Sequence, residues 1–248
     1  VVDGVDAVRV AARQRLRSGA HAIKVMASGG VFSLSDPIQF PQYSSDELRA
    51  VVDEARRRGS YVAAHAYSPE AVIHSIENGV RSIEHGNLID AATAVEMAKR
   101  EAFLVPTLAA YDAMDRRGAD LGLNAISLEK NAEVLSRGQE AVQLALAAGV
   151  HVGFGSGLRG ALEDEQLAGI RLQTEACGAL TMIQSLTEVN AALIGDRNLG
   201  HLGVGAYGDM IILKDIPLTS PEVLWEISAR RTVVQSGRVV AQAGQLMR

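Results

Sequence analysis

The segment YSSDELRAVVDEARRRGSYVAAHAY, residues 43–67, predicts a helix that leads directly into a buried strand. Ser44 and Glu47 have the spacing of a capping box, which satisfies free backbone N–H groups at a helix start. Gly59 suits the left-handed conformation that commonly ends a helix. The apolar run that follows, residues 61–67, is typical of a short strand. The unit predicted here is therefore a helix followed by a strand.

This unit recurs along the chain. Apolar runs predict strands centred near Lys24, Val62, Ile83, Val105 and Val152, with helical patterns between them. Each run is almost wholly apolar, as parallel strands are when helices cover both faces of the sheet. The predicted fold class is therefore parallel α/β. Five strand–helix units are too few to close an eight-stranded barrel, so we expect a partial TIM-like barrel or an open sheet.

The last fifty residues follow a different pattern. GDMIILKDIPL, residues 208–218, and RRTVVQSGRVVAQAG, residues 230–244, predict strands, and the second run predicts a hairpin turning at Ser236 and Gly237. We therefore expect two portions, an α/β barrel portion over residues 1–198 and a small β portion with the C-terminal tail over residues 199–248.

Composition excludes several classes of function. The 248 residues are 48% hydrophobic and 21% charged, with a formal net charge of -5, which is ordinary for a globular protein and unlike the clustered basic surface of nucleic-acid binders. The single Cys177 has no partner for an internal disulfide. No apolar run approaches the roughly 18 residues that span a bilayer. We expect a soluble, cytoplasmic protein without a nucleic-acid or membrane partner.

Three polar side chains lie late in three successive apolar strands, and these are Lys24, His65 and His85. The carboxyl ends of parallel strands meet at one edge, so these side chains are expected to converge there. A buried ammonium is costly unless it is paired or neutralised, and the chain has only four lysines against twenty arginines. Each residue alone also fits a plainer interpretation, a core histidine or a lysine in a solvated cleft. The set of three favours metal ligation.

The chemistry of such a set can be stated. Imidazole nitrogens suit zinc and similar ions, and a lysine of lowered pKa can react with carbon dioxide to give a carbamate, which is an anionic oxygen ligand. Two imidazoles and this anion would hold one divalent ion, zinc being expected, and leave a position open for water. The ion lowers the pKa of that water for attack on a carbonyl. The residues therefore predict hydrolase chemistry.

The motifs IKVMASGG, SIEHG, VPTL and LGHLGVGAYGDMIILKDIPL resemble the amidohydrolase superfamily, in its imidazolonepropionase-like branch, which includes dipeptidases for Xaa-Arg, Xaa-Lys and Xaa-Pro substrates. The resemblance extends over nearly the whole chain. It implies a (β/α)8 barrel, of which strands four to eight are expected here. It also implies a β-sandwich built from both chain ends, and a site for one or two metal ions.

The resemblance also implies roles for single residues. Lys24 matches the carboxylated lysine of barrel strand four, and His65 and His85 match the metal ligands of strands five and six. Tyr67 and Ser28 lie where the family builds its substrate pocket. Tyr67 then either orients a substrate carbonyl or carboxylate or packs on the next helix.

Two departures from the family pattern predict an impaired site. No His-x-His pair occurs, so barrel strands one to three are expected to be absent. Gly157 stands where the family has an aspartate that ligates metal and takes a proton from water. Glu163, Asp164 and Glu165 follow about two helical turns later and are expected to be solvated rather than to replace it. Because a positioned acid–base group contributes roughly 10²- to 10⁴-fold, we expect a weak catalyst.

Two alternatives stay open at this point. Gly155, Gly157 and Gly160 form a G-x-G-x-x-G pattern after a strand, which is the outline of a dinucleotide-binding loop, although four strands precede it and an acidic segment follows. The second alternative is that the chain is a catalytically inactive binding or assembly subunit, or a truncated fragment. An open sheet edge would promote association, so we expect a homo-oligomer. Structural or surface roles are expected for the other polar residues singled out, which are His21, His74, His151, His201 and Asp209.

Overall fold

A computed structural model describes residues 1–226 and 231–247. The helices are α1 (Val5–Arg17), α2 (Ser45–Arg56), α3 (Pro69–Glu77), α4 (Ala91–Lys99), α5 (Leu108–Arg117), α6 (Ala125–Ala147), α7 (Gln166–Cys177), α8 (Ala179–Gln184) and α9 (Asn190–Ile194). The strands are β1 (Ile23–Met26), β2 (Val62–Ala66), β3 (Ser82–His85), β4 (Phe103–Val105), β5 (His151–Val152), β6 (Met210–Leu213), β7 (Arg231–Gln235), β8 (Arg238–Gln242) and β9 (Gln245–Leu246). Short 3-10 helices lie at Gly160–Glu165 and Pro221–Leu224, and a π-helical turn lies at Ser185–Val189.

The first five strands form one parallel sheet in the order β1-β2-β3-β4-β5. This confirms the parallel α/β prediction and the position of each predicted strand. One face of the sheet packs against the helices, and the core there is built from residues such as Val25, Ala64, Ile83 and Leu104. Because all five strands run the same way, their carboxyl ends share one edge of the sheet.

Helix α2 begins as the sequence predicts. Ser44 accepts the Glu47 N–H, and the Glu47 carboxylate accepts the Ser44 N–H, so the capping box is complete. Leu48, Val51 and Ala55 form the buried stripe of the helix. Burying each of the larger two contributes about 1.5–3 kcal/mol relative to exposure. Local capping and core packing therefore specify the same helix.

The chain between β4 and α6 departs from the sequence-based expectation. Strand β4 ends at Val105, because Pro106 has no N–H to donate to a neighbouring strand. Thr107 then takes a left-handed conformation, with φ of 50°, and α5 starts at the next residue. Helix α5 was not predicted from sequence, and it carries a residue of the site described below.

The last four strands form an antiparallel sheet in the order β6-β7-β8-β9. The predicted hairpin is confirmed, with Ser236 and Gly237 both at positive φ, 50° and 75°. The Asp209 carboxylate accepts the Ser236 N–H at 2.7 Å, which is a structural role. Arg230, at the start of the predicted hairpin segment, lies outside the described residues. The division into two domains near residue 198 stays a prediction.

Candidate functional site

His65 occupies the carboxyl end of β2, where it is 6% exposed. Its Nε2 lies 3.2 Å from the carbonyl oxygen of Gly29, in the loop that follows β1. That loop is pinned beside β2, because the N–H groups of Ala27 and Ser28 both donate to the His65 carbonyl. A side chain at position 29 would meet the Asp36 carbonyl at 2.3 Å, so only glycine fits. The acceptor for the His65 ring is therefore fixed by the backbone.

Lys24 lies on β1, the neighbouring strand. It pairs with Ala63 in the sheet register, two residues before His65, so Lys24 and His65 lie on the same face. The side chain of Lys24 is exposed, and within the described residues β1 is an edge strand. The exposed side chain does not carry the burial cost considered from the sequence, and the role of Lys24 stays a prediction.

His85 ends β3, and its backbone turns its side chain. Strand alternation alone would place His85 on the opposite face from His65, because its register partner is Ala66. The residue instead has φ of 80°, a conformation that costs a non-glycine residue about 1–3 kcal/mol. The two imidazole rings come together with centroids 4.5 Å apart and planes at 72°. Strained backbone at this position therefore builds the histidine pair.

The ring of His85 is held by the residue after Pro106. Its Nδ1 lies 2.6 Å from the Thr107 hydroxyl oxygen, and both residues are buried. Thr107 is itself in the left-handed conformation described above. Two neighbouring strands thus end in unusual backbone geometry that brings one imidazole and one hydroxyl together.

The histidine pair meets the requirements of a metal site. A carbonyl oxygen only accepts hydrogen bonds, so the His65 Nε2 carries the proton and Nδ1 has a free lone pair. His85 has its Nδ1 on Thr107 and its Nε2 free of any protein partner within the described residues. Metal-binding histidines ordinarily offer one nitrogen to the ion and hold the other with a protein group. The donor set therefore fits a divalent ion.

Both imidazoles are held in the neutral form. Burial lowers the pKa of His65 to about 4, the hydrogen bond to Gly29 opposes this, and the nearby Lys24 charge adds to it. Burial also lowers the pKa of His85 well below its ordinary value, with smaller contributions from His65 and Lys24. Neutral imidazole is the state that binds metal, so no proton has to be removed near neutral pH.

Tyr67 lies against both histidines and is almost fully buried. Its ring is 4.7 Å from that of His65, edge to face, and 5.3 Å from that of His85, nearly parallel. The Tyr111 hydroxyl donates to the Tyr67 hydroxyl at 2.9 Å. Burial raises the pKa of Tyr67 to about 12, so Tyr67 is a neutral phenol next to the histidine pair.

Ser28, the other predicted pocket residue, is fully buried. Its hydroxyl donates to the Gly29 carbonyl at 3.1 Å, and its backbone forms an isolated bridge with Pro41. These contacts shape the loop that supplies the acceptor for His65. A direct contact between Ser28 and substrate stays a prediction.

Three residues of this region were not singled out from the sequence, and they are Glu84, Thr107 and Tyr111. Glu84 precedes His85, pairs with His65 in the register and accepts the Ser82 hydroxyl at 2.6 Å. Burial raises the pKa of Glu84, and the Ser82 hydrogen bond and the Lys24 charge oppose this. Glu84 belongs to the SIEHG motif, so its place beside His85 could have been predicted from the sequence. Nothing local in the sequence marks Thr107 or Tyr111 as neighbours of His85 and Tyr67.

Gly157, where the resemblance implies an aspartate, has φ of 65°. A Cβ added there would lie 2.7 Å from the Thr107 Cβ, closer than side chains tolerate. Position 157 therefore adjoins the residue that holds His85, and its backbone and its space both favour glycine. The same loop does not resemble a dinucleotide-binding turn, since α7 begins only at Gln166, well past Gly160.

Two carboxylates of the acidic segment after this loop form ion pairs with arginines of α5. Glu165 accepts from Arg116 at 2.6 Å and from Arg117 at 3.0 Å, and Asp164 pairs with Arg117 at 2.7 Å. The Arg116 hydrogen bond lowers the pKa of Glu165 to about 2. Glu163 is exposed. These three carboxylates were expected to be solvated, whereas Asp164 and Glu165 are paired with arginines.

The remaining predicted surface residues lie away from this edge. His21, His151 and His201 are exposed, and His74 contacts the Tyr43 carbonyl at 3.0 Å. Within residues 1–226 and 231–247, no group of three or more His, Cys, Asp and Glu side chains converges in a metal-binding arrangement. A surface cavity of about 870 Å³ lies at the opposite, amino-terminal edge of the sheet, near Tyr61 and Arg81. It contains none of the candidate site residues.

Polar side chains gathered at the carboxyl ends of parallel strands are the arrangement found in barrel enzymes. A model of the family described as "Amidohydrolase family" matches residues 1–240. The chain therefore belongs to the amidohydrolase family, as the motif resemblance predicted.

Three members of the compared proteins show how similar the chain is to known hydrolases in sequence and structure. The chain is 31% identical to ochratoxinase from Aspergillus niger over 98% of its own length and 51% of that protein. A crystal structure of a prolidase complexed with N-methylphosphonate-L-proline matches with a TM-score of 0.95 and 43% identity, over 98% of this chain and 60% of that one. A Xaa-Pro dipeptidase with bound methionine matches with a TM-score of 0.86 and 30% identity, over 96% and 59%.

The chain spans about half the length of the curated relatives it matches, as in the 51% of ochratoxinase, and about three fifths of the solved prolidase. Its five-stranded parallel sheet corresponds to part of the fold of these relatives. In the described part of the chain, no helix is both long and apolar enough to span a membrane.

Proposed function

We propose that this chain is a metal-dependent hydrolase of amide C–N bonds in dipeptide-like substrates, in which Lys24, His65 and His85 hold one divalent ion, zinc. The observation that carries the proposal is the buried, neutral histidine pair with centroids 4.5 Å apart, in which each ring has one nitrogen held by the protein. Buried histidines with free nitrogens on adjacent parallel strands are better suited to ligation than to core packing.

A divalent ion at this position supplies a Lewis acid that polarises a carbonyl and lowers the pKa of water. The chain's own residues hold the ion and orient the substrate. His65 offers Nδ1 and His85 offers Nε2. Lys24 lies on the same face as His65, and its neutral amine, on reaction with carbon dioxide and release of a proton, would give a carbamate that supplies an anionic oxygen. Tyr67 presents a neutral phenol beside both rings, where it can donate to a substrate carbonyl or carboxylate.

The relatives support a choice of substrate class. The prolidase was crystallised with N-methylphosphonate-L-proline, and another relative is a Xaa-Pro dipeptidase. These names support Xaa-Pro dipeptides as the first substrates to assay, followed by Xaa-Arg and Xaa-Lys. A cytoplasmic location is part of the same proposal, supported by the single cysteine of the sequence.

We expect slow turnover. Gly157 contributes no proton acceptor, and the nearby carboxylates of Asp164 and Glu165 are paired with Arg116 and Arg117. The loss of a positioned acid–base group lowers the rate by roughly 10²- to 10⁴-fold. The proposal is therefore of a metal-binding site with weak hydrolytic activity in this chain.

The test combines metal content with hydrolysis. The purified chain is loaded with Zn²⁺, dialysed, assayed for bound metal, and then incubated with Xaa-Pro, Xaa-Arg and Xaa-Lys dipeptides. We expect about one ion per chain in the wild type and in His21→Ala, and none in His65→Ala. Absence of bound metal in a folded wild-type chain would refute the proposal.

A second candidate function is an inactive binding or assembly subunit, and Gly157 is the observation that favours it. The two functions differ in one result of the same assay. Metal-dependent hydrolysis that His65→Ala abolishes supports the enzyme. Metal binding and dipeptide binding without any hydrolysis support the binding subunit.

Self-association is also proposed. Strand β1 is an edge of the described sheet, and Met26, Phe32 and Phe40 are 45%, 53% and 61% exposed beside it. An open edge with apolar side chains promotes pairing with another chain. Light scattering is expected to show a homo-oligomer at micromolar concentration, and a stable monomer would contradict this.

A further inference from the structure

Phe32 and Arg159 connect two loops that leave opposite edges of the described parallel sheet. Phe32 lies in the loop after β1, and Arg159 lies in the loop after β5. The Arg159 Cζ is 5.7 Å from the centre of the Phe32 ring, within the range of a cation–π contact. Strands β1 and β5 are first and last in the five-stranded order, and four strand spacings in a flat sheet amount to about 19 Å. The two loops therefore meet above the carboxyl ends of the strands between them, where His65 and His85 lie.

The loop after β1 starts beside His65. A Cβ added at Gly30 would lie 3.5 Å from the His65 Nε2, so the loop backbone passes close to this ring. Val31 is buried in one apolar cluster with Tyr67. Phe32 follows and is 53% exposed. The loop thus leads from the ring of His65 to a Phe32 side chain on the solvent side of the site.

The loop after β5 starts beside the residue that contacts His85. A Cβ added at Gly157 would lie 2.7 Å from the Thr107 Cβ, and the Thr107 hydroxyl lies 2.6 Å from the His85 Nδ1. Leu162, further along, is buried in the same apolar cluster as the loop after β1. Arg159 lies between Gly157 and Leu162 and is exposed. Both loops therefore start at the histidine pair and come together again at the Phe32–Arg159 contact.

The charge of Arg159 is unpaired in the described part of the chain. Arg116, by contrast, is paired with Glu165 at 2.6 Å. The cation–π contact with Phe32 leaves the N–H donors of Arg159 without an acceptor among the described residues. A guanidinium is a planar fork of donors that matches a carboxylate through two parallel hydrogen bonds. Arg159 is therefore suited to bind a carboxylate that comes from outside the chain.

A dipeptide carries such a carboxylate at a short distance from the bond that breaks. Its C-terminal carboxylate lies one residue beyond the scissile carbonyl, and one residue spans at most about 3.3–3.6 Å. The sheet lies on one side of the histidine pair, so a carbonyl bound at the pair leaves the carboxylate on the side of the loops. Residues 27–44 and 153–165, which form the two loops, contain one cationic residue, and it is Arg159.

We propose that Arg159 recognises the free C-terminal carboxylate of the substrate and that Phe32 holds the guanidinium over the site. The position of the scissile bond comes from the proposed function, on which this inference rests. The substrates are then short peptides with a free carboxylate one residue beyond the bond that breaks. Peptide amides and longer peptides lack that charge at that position and are bound weakly.

The experiment compares two ligands that differ only in this charge, alanyl-L-proline and alanyl-L-prolinamide. Dissociation constants of both are measured by isothermal titration against the metal-free 248-residue chain, so that the peptide bond stays intact during the titration. The variants are Arg159→Gln, Arg159→Lys and Phe32→Leu. Arg17→Gln, at an exposed arginine of α1, is the matched control. Circular dichroism establishes that each variant is folded.

The measured quantity is the ratio of the two affinities. Wild type and Arg17→Gln should bind the dipeptide about 10- to 100-fold more tightly than its amide, as expected for one charge-assisted bidentate pair. Arg159→Gln should bring the ratio close to one and leave the affinity for the amide unchanged. Arg159→Lys keeps the charge without the fork and should give an intermediate ratio. Phe32→Leu removes the ring beneath the guanidinium and should lower the ratio about 2- to 5-fold.

Three results would overturn the inference. The first is a ratio near one in wild type, and the second is a wild-type ratio in Arg159→Gln. The third is a folded wild-type chain that binds neither ligand at millimolar concentration. An Arg159→Gln variant that loses affinity for both ligands equally keeps the wild-type ratio, and it would show that Arg159 only supports the loop.

The proposed function is tested separately by zinc content and hydrolysis. A chain that binds zinc and hydrolyses dipeptides, but whose preference for the carboxylate survives in Arg159→Gln, would refute the role of Arg159 and leave the proposed function standing. A preference for the carboxylate that depends on Arg159, in a folded chain that binds no zinc, would support the role of Arg159 and refute the proposed function.

Discussion

The carboxyl ends of β2 and β3 differ from that of β5, although all three lie at one edge of the same sheet. The first two end in buried histidines whose rings are oriented by a carbonyl and a hydroxyl. The third runs into a glycine-rich loop in which position 157 has no side chain and no room for one. The strands that end in histidines therefore present groups suited to metal ligation, whereas the loop after β5 presents no side chain at position 157 that could accept a proton. Under the proposed function, metal binding would persist where proton transfer is weak.

The largest effect is expected on Zn²⁺ affinity, when one of the histidines that end β2 and β3 is removed. His85→Ala should reduce Zn²⁺ affinity at least about 100-fold, more than the loss of a residue that only orients a ligand. Isothermal titration measures this, with His21→Ala as a matched exposed-histidine control. Equal affinity in both variants would mean that His85 is not a ligand.

The pH dependence of stability tests the neutral state of the histidine pair. Because the folded pKa of His65 is about 4 and its ordinary value is 6.5, the unfolded chain binds more protons between these values. The free energy of unfolding of metal-free protein should be constant above pH 6.5 and fall as pH drops towards 4, by about 3 kcal/mol for His65 alone. Urea denaturation at several pH values measures this, and His65→Asn should show a shallower fall.

The lack of room for a side chain in the loop after β5 can be tested by comparing two of its glycines. Gly157 and Gly160 both have positive φ, 65° and 57°, but only Gly157 lies against another side chain, that of Thr107. Gly160→Ala should cost about 1–2 kcal/mol from backbone conformation. Gly157→Ala should cost about 1–3 kcal/mol more, because its Cβ meets the Thr107 Cβ. Equal losses in urea denaturation would show that the loop relaxes freely.

The smallest effect concerns the acidic segment. Glu165→Gln should destabilise the fold by about 1 kcal/mol, since it weakens bonds to Arg116 and Arg117 at a partly buried position. Glu163→Gln, at an exposed position, should change stability by less than about 0.5 kcal/mol. Neither should alter hydrolysis. A large loss of activity in Glu165→Gln would mean that this carboxylate does reach the site.

Much of the fold could be predicted because its determinants are local. The capping box at Ser44 and the hairpin turn at Ser236 and Gly237 depend on residues a few positions apart. Apolar runs located all five parallel strands, since a strand that packs into the core has little freedom in composition. The helix α5 was missed because Pro106 and Thr107 were assigned to a continuing strand.

The site was only half predictable for a physical reason. His65 and His85 stand out as polar residues in apolar strands, so the sequence marks them. Thr107 and Tyr111 are 22 and 44 residues from the partners they bond, and tertiary packing alone brings them together. The exposure of Lys24 was also unpredictable from its own strand, because the covering of a β-strand face depends on what lies beside it.

Thr107 couples two positions of this site. It contacts His85 on one side, and a side chain at position 157 would meet it on the other. A single substitution that introduces a carboxylate at 157 would therefore displace the residue that contacts His85. Engineering an acid into this loop would require a second, compensating change in the backbone after β5, so the two substitutions are expected to be non-additive.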